Sequence, residues 1–458
     1  MKTTILKYSI YSLFGVLITI TGCKKEDSFL ATKPNQALAI PTSLNDLQLL
    51  LNDEDVFNRF YPALGEASTD DMILSPSDWL SDYPSDKNAY VWAKDIYPPG
   101  LDVVDWSHPY QMVYYANTIL NFLPTFKIST SQQVQSNMIK GSALFFRAIA
   151  FYNLVQHFAM PYDSTTSNKD LGVPLPLTPD LTAKLSRATE SQCYTQIITD
   201  LNSAATLLPD VPARKTLPSK AAVFGLLSRI YLGMGNYNQS LSYATQCLGL
   251  YNQLQDFNNL NPAAFPVFPN FSPEEIFHAS LSAYNTTSPT SVVDTNLYRS
   301  FSNPNDLRPA IFFYNYHGKI EFNSQLDVHN NISSPISTSE IYLTKAECEA
   351  RMNNMAAAMN DLNTFLITRW KKGTFKPYTA VSADDALNQI LKERQKELVM
   401  SGVRWLDLRR LNKDVRFAIT LKRNISGTIY SIAPNDPRYA LPIPENEISI
   451  NQIPQNNR

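Results

Sequence analysis

Carboxylate pairs are the first groups in this 458-residue chain with the means to do chemistry. Asp53/Asp55, Asp70/Asp71 and Asp102/Asp105 are spaced closely enough to supply the two carboxyl groups of a glycoside-hydrolysing site. Aspartate at such spacings more often caps a helix or forms a turn, and nothing around these residues marks one partner for apolar burial. The five histidines, His108, His157, His278, His317 and His329, stand too far apart for a paired zinc-ligand motif. There is no GxSxG elbow and no GxxxxGK[ST] phosphate loop. Gly233-Met234-Gly235 lacks the third glycine of a dinucleotide fingerprint. Cys193, Cys247 and Cys348 form no CxxC pair and lie in apolar helical patterns, where small buried thiols are the simplest reading. The expectation is a protein that is not an enzyme, with no catalytic residue, metal or cofactor.

Binding is better provided for. The chain holds 24 Tyr and 23 Phe, and 30 Pro against only 14 Gly. So many tyrosines, each with a polar tip, imply aromatic surface as well as aromatic interior. Two loop-rich stretches concentrate the rings. Residues 65–106 carry Trp79, Tyr83, Tyr90, Trp92 and Tyr97, with Pro76, Pro84, Pro98 and Pro99 forbidding a long helix. Residues 258–337 carry Tyr298, Phe301, Phe312, Phe313, Tyr314 and Tyr316. Long loops inside a compact domain are usually functional. With 39 basic and 41 acidic residues the net charge is −2, which leaves no basic patch for nucleic acid.

The elements that must position these loops are helical. A first amphipathic helix follows Pro41 at Leu44, Leu47, Leu50 and Leu51. Apolar residues recur at helical spacing over Tyr110–Leu123, Met138–Phe158 and Thr189–Leu208. Ser219–Leu232 and Tyr237–Leu250 flank a glycine turn, and Ser339–Arg351 and Asn354–Trp370 form a second such pair. Their small inward residues, Ala222, Ala244, Ala346 and Ala357, resemble tetratricopeptide helix-turn-helix units. The expected fold is mainly α, with about four helix pairs stacked in one right-handed array. A dense charged cluster, Lys392-Glu393-Arg394-Gln395-Lys396-Glu397, precedes Gly402 and Arg404-Trp405-Leu406-Asp407-Leu408-Arg409. Its like-charge i,i+4 pairs require tertiary partners. Glu393, Arg394 and Glu397 are expected to pair with Arg404, Asp407 and Arg409 as a structural staple.

The N-terminus reads as an export signal. Lys2 and Lys7 precede an uncharged run of 15 residues, Tyr8–Gly22, too short for a spanning helix. Ile20-Thr21-Gly22-Cys23 resembles a bacterial lipobox, so the signal peptide is assigned to 1–22, lipidation to Cys23, and a tether to 23–40. Lys25-Glu26-Asp27 resembles the export signal of surface lipoproteins in Bacteroidetes.

Several segments together resemble the SusD/RagB family: Ala143-Leu144-Phe145-Phe146-Arg147-Ala148, Gly172-Val173-Pro174-Leu175-Pro176, Gly235-Asn236-Tyr237, Ile341-Tyr342-Leu343, the Glu393–Arg410 cluster, and Leu441-Pro442-Ile443-Pro444-Glu445-Asn446. Ser401 departs from the common acidic residue before the glycine. The resemblance implies a single SusD-like domain over 41–458, loop-rich at about 65–106 and 258–337. It implies a lipid-anchored outer-membrane protein, facing the exterior, that captures oligosaccharide or polysaccharide and delivers it to a SusC-like TonB-dependent transporter barrel. Flat aromatics suit the C–H face of a sugar, and three or four stacks at ~1 kcal/mol each imply roughly micromolar to millimolar affinity. The contacts expected on this reading are Trp79, Tyr83, Trp92, Tyr97, Tyr298 and Arg308. Burial is the competing role for each, and Arg308 has Asp306 as a structural partner. A surface glycoside hydrolase, a protein-binding scaffold, and capture of peptide instead of glycan remain open alternatives.

Overall fold

The computed structural model describes residues 40–458 except Ser324, Gln325 and Val328. Cys23, the signal peptide and most of the tether lie outside the described residues. Among the described residues, eight helices of 12 residues or more carry the fold: α1 Val104–Phe122, α2 Gln133–Phe158, α3 Glu190–Ala205, α4 Lys220–Gly233, α5 Tyr237–Leu250, α6 Thr338–Arg351, α7 Met355–Leu366 and α8 Ala383–Glu397. The mainly α class is as expected, and eight helices are the number that four pairs require.

Local chemistry sets their limits. Thr189 and Gln192 close a capping box at the start of α3, and Ser219, Ser337 and Ser382 cap α4, α6 and α8 through their hydroxyls. Between α4 and α5, Gly235 takes φ +73°, a conformation open to a residue without Cβ, and Asn236 caps the next helix. One boundary differs from the periodicity: α1 begins at Val104, well before Tyr110, and carries Pro109 inside it. The proline costs a backbone bond but does not stop the helix.

Packing follows the chain. α1, α2 and α3 lie side by side, α4 packs on α5, α5 on α6, and α6 is shared by α7 and α8. α2 is apolar and long enough to cross a membrane, yet most of it is buried in the protein. Its Phe145, Phe146 and Phe151 are fully enclosed, with the Phe146 ring tilted against Phe57 at 4.3 Å and Phe145 5.0 Å from Phe277. Cys193, Cys247 and Cys348 are free and buried. Residues Leu44–Arg458 form one compact unit.

The charged cluster on α8 pairs more widely than its sequence spacing implies. Only Arg394–Asp407, at 2.7 Å, joins the expected partners. Glu393 binds Arg308, Glu397 binds Arg369 at 2.7 Å, Arg404 grips Asp70 with two bonds of 2.6 and 2.7 Å, and Arg409 donates to the Ala159 carbonyl. Arg369 also donates to both oxygens of Glu274. The reason is reach: α8 is central, and acids from segments far apart in the chain converge on its guanidinium partners. The network ties the two loop-rich stretches to the helices.

Candidate functional site

Within the stretch 65–106, two short helices start at prolines. Pro76–Ser81 begins where Ser75 caps the Asp78 amide, and Pro84–Tyr90 follows at once. Trp79 is half-buried, its Nε1 donating to the Lys87 carbonyl at 2.9 Å, so the indole is held rather than free to turn. Tyr83 is 69% exposed.

The second stretch contributes a hairpin, β1 Phe313–Tyr316 and β2 Lys319–Phe322. Its two-residue turn has positive φ at both His317 (49°) and Gly318 (86°), as a type I′ turn requires, and Asn315 accepts the Gly318 amide at 2.9 Å. A second hairpin, β3 Leu421–Ile425 and β4 Thr428–Ile432, repeats the device with Ser426, Gly427 and Asn424. Tyr314 and Tyr316 are two apart on one face of β1, their rings 6.4 Å apart. Tyr316 is 54% exposed. Burial and a bond donated to Glu321 push the Tyr314 hydroxyl up to about 12. On β4, Tyr430 faces Trp79 with ring centres 6.2 Å apart.

These pieces meet. Lys319 Nζ lies 3.0 Å from Asp78 Oδ2, next to Trp79 in sequence. The Ser75 hydroxyl, with Lys319, holds the Asp78 carboxyl below its usual range. Asn285 binds Asp82 through its side chain (2.8 Å) and Asp86 through its amide (2.9 Å). Both aromatic stretches therefore share one face, edged by carboxylate, amide and ammonium groups.

Of the expected contacts, Trp79 is on this face, and the exposed Tyr83 follows Asp82, which Asn285 holds. Tyr298 is half-buried against Phe313 at 5.6 Å, behind the hairpin that carries Tyr314 and Tyr316. Tyr97 lies apart, in a cleft of about 300 Å³ against Pro442 and Pro444, with its hydroxyl sealed inside. Trp92 is corrected: at 2% exposure, with Nε1 on the Ser68 carbonyl, it belongs to a buried cluster with Trp405 and Tyr439. Arg308 is corrected as well, at 0% exposure and clamped by Asp306 and Glu393, which leaves it no path to a ligand. Tyr316, Tyr430, Asp78 and Lys319 were not selected from sequence. The signal that marks their hairpins is Asn-x-x-Gly between alternating apolar residues.

Five of the six paired aspartates are engaged elsewhere, Asp105 by the Ala63 and Leu64 amides. Asp53 caps a short helix, Asp55 pairs with Arg59, and Asp70 is held by Arg404. Asp71 is fully buried, accepting the Met400 amide at 3.1 Å. Burial, then the nearby Asp70 charge, pushes its carboxyl up to about 7. Glu66 beside it is raised well above the usual range by burial and then by Asp71. Such a buried pair shares protons rather than flanking a substrate. A cleft of about 490 Å³ also opens between α1 and the segment 174–185. There the Tyr110 hydroxyl and the Asn117 amide are already spent on the Pro174 and Pro176 carbonyls.

The family model described as "Starch-binding associating with outer membrane" matches residues 24–232, and that of the SusD family matches residues 329–457. Together they span more than half of the sequence. The chain belongs to the SusD family.

Among SusD-family relatives, the SusD-like protein P2 of Formosa agariphila is 23% identical over 381 residues, covering 68% of this chain and 72% of that protein. A SusD superfamily protein from Bacteroides thetaiotaomicron superposes with a TM-score of 0.74 at 25% identity, covering 91% of this chain and 100% of the other. A laminarin-binding SusD-like protein has the same fold, with a TM-score of 0.63 at 19% identity, covering 90% of this chain and 98% of the other. The resemblance read from the sequence is thereby borne out.

Proposed function

We propose that this SusD-family protein captures carbohydrate on the face formed by Trp79, Tyr83, Tyr316 and Tyr430 and passes it, intact, to a TonB-dependent outer-membrane transporter. The observation that carries the proposal is the Lys319–Asp78 contact, which sets the Tyr316 hairpin beside the Trp79 helix. Aromatic faces stack on the apolar side of a sugar ring, while Asp78, Asn315 and Lys319 offer partners to its hydroxyls. Surface-mounted rings bind weakly, which suits release to a second protein. The laminarin-binding relative and the starch-binding description of the family support carbohydrate as the ligand class.

In the same reading residues 1–22 are removed on export, Cys23 carries the lipid, 23–40 form the tether, and 41–458 act as one domain held at the outer membrane, facing outward. Calorimetric titration with soluble glycans, followed by chromatography of the recovered sugar, tests capture. Binding with unchanged chain length supports it; shortened products would revive hydrolysis. Co-purification with an outer-membrane barrel tests delivery, and its absence would favour a free-standing scaffold.

A further inference from the structure

Next to the aromatic face lies a polar cleft of about 330 Å³. It is walled by Asp70 from the first loop-rich stretch, Asp294 from the second, Lys392 and Gln395 from α8, and Lys422 and Arg423 from β3. The cleft adjoins the aromatic residues through shared elements. Arg423 is the register partner of Tyr430, which faces Trp79. The helix Thr295–Ser300, which follows Asp294, carries Tyr298.

Its charges are unequally satisfied. Asp70 is neutralised by two bonds from Arg404. Asp294 is spent on the amides of Asn296 and Leu297, at 2.7 and 3.1 Å. The cations lack such partners. Lys392 and Lys422 are exposed, and neither forms an ion pair among the described residues. Arg423 is 7% exposed, rests on the rings of Tyr90 and Trp92, and gives one N–H to the Thr69 carbonyl, while its Nε has no partner. No carboxylate among the described residues is bound to it, although Asp70 and Asp294 in the same cleft attract its charge. Burial holds its guanidinium below the usual arginine range. The Nε is sealed inside, but a guanidinium buried with no bound carboxylate keeps a positive charge that an anion in the cleft would balance. Behind the cleft, Glu66 and Asp71 are both raised by burial, so they oppose this positive field less than two ordinary carboxylates would.

We infer that this cleft is a subsite for the anionic substituent, carboxylate or sulfate ester, of an acidic polysaccharide. Arg423 is the floor of the subsite, and Lys392 and Lys422 are its rim. Guanidinium groups match the planar or trigonal oxygens of such substituents. The inference rests on the carbohydrate-capture reading above, and narrows it from glycans in general to charged ones.

The test measures binding of the full protein to two neutral glycans, laminarin and pullulan, and to two anionic ones, polygalacturonate and dextran sulfate, at low salt. A preference for the anionic glycans that weakens as salt is added is the expected result. The Lys392→Gln/Lys422→Gln variant, whose side chains are exposed and unpaired, should keep the native melting temperature. Its affinity for the preferred anionic glycan should fall about tenfold, since each exposed charge pair contributes up to ~1 kcal/mol. Preference for polygalacturonate alone identifies carboxylate, and for dextran sulfate alone, sulfate. Equal binding of neutral and anionic glycans, or a double variant that binds the anionic glycan as the native protein does, overturns the acidic subsite and leaves carbohydrate capture standing. Binding of none of the four overturns both.

Discussion

Lys319 reaches Asp78 across 3.0 Å, although 241 positions separate them in the chain. The contact is exposed on both sides, so it contributes at most about 1 kcal/mol to stability. Its consequence is positional: it fixes the Tyr316 hairpin against the Trp79 helix. Lys319→Met is therefore expected to leave the melting temperature within a few degrees of native, while glycan affinity drops severalfold. Calorimetry and thermal denaturation on one preparation separate the two effects. Large loss of stability with unchanged affinity would contradict the positional role.

Arg369 is the opposite case, fully buried between Glu274 and Glu397. Truncation leaves Glu274 without its counter-charge and Glu397 with only the longer contact to Arg308, at 3.6 Å. Arg369→Ala should cost about 3–5 kcal/mol in denaturant unfolding.

Trp92 and Trp79 should separate structure from binding. Removing the buried Trp92 ring opens a cavity beside Trp405 and Tyr439, and Trp92→Ala is expected to cost about 3–5 kcal/mol. Trp79→Ala, at a half-buried surface ring, should cost clearly less stability and more affinity.

Glu66 and Asp71 give stability a pH dependence. The folded protein holds both carboxyls above their unfolded values, Asp71 at about 7. It then binds more protons than the unfolded chain above about pH 4, so their contribution is full below that pH and is lost as pH rises through 7. His157, lowered to about 4 by burial, opposes this trend between about pH 4 and 6.5. The carboxyl effect should therefore be read from pH 6.5 upward. The melting temperature is expected to fall between pH 6.5 and 8.5 in the native protein and to fall less in Glu66→Gln, whose amide mimics the neutral acid. Parallel profiles would show that the pair is not protonated in the folded state.

The helices were legible because their apolar faces repeat at 3.6 residues and their ends carry Ser, Thr, Asn, Gly or Pro in the required places. Trp79 and Tyr83 were legible as aromatics between prolines. What separates Trp79 from Trp92 is burial, and two tryptophans in one loop-rich stretch look alike until the strand bearing Arg423 closes over one of them. Arg308 belongs to the same class. Asp306 is visible beside it, but Glu393 lies 85 positions away, and no local pattern announces that the pair closes inside the protein. The Tyr316 and Tyr430 hairpins carried a readable turn signal in Asn-x-x-Gly, but their approach to Trp79 is a tertiary contact.

Trp79 and Tyr316 stand on either side of the Lys319–Asp78 contact, and removing both rings tests carbohydrate capture most directly. With the glycan that the native protein binds best, Trp79→Ala/Tyr316→Ala should retain the native fold by circular dichroism and lose binding by at least about tenfold, as two stacks of ~1 kcal/mol imply. A folded double variant that binds this glycan with native affinity would contradict the assignment of this face as the carbohydrate site.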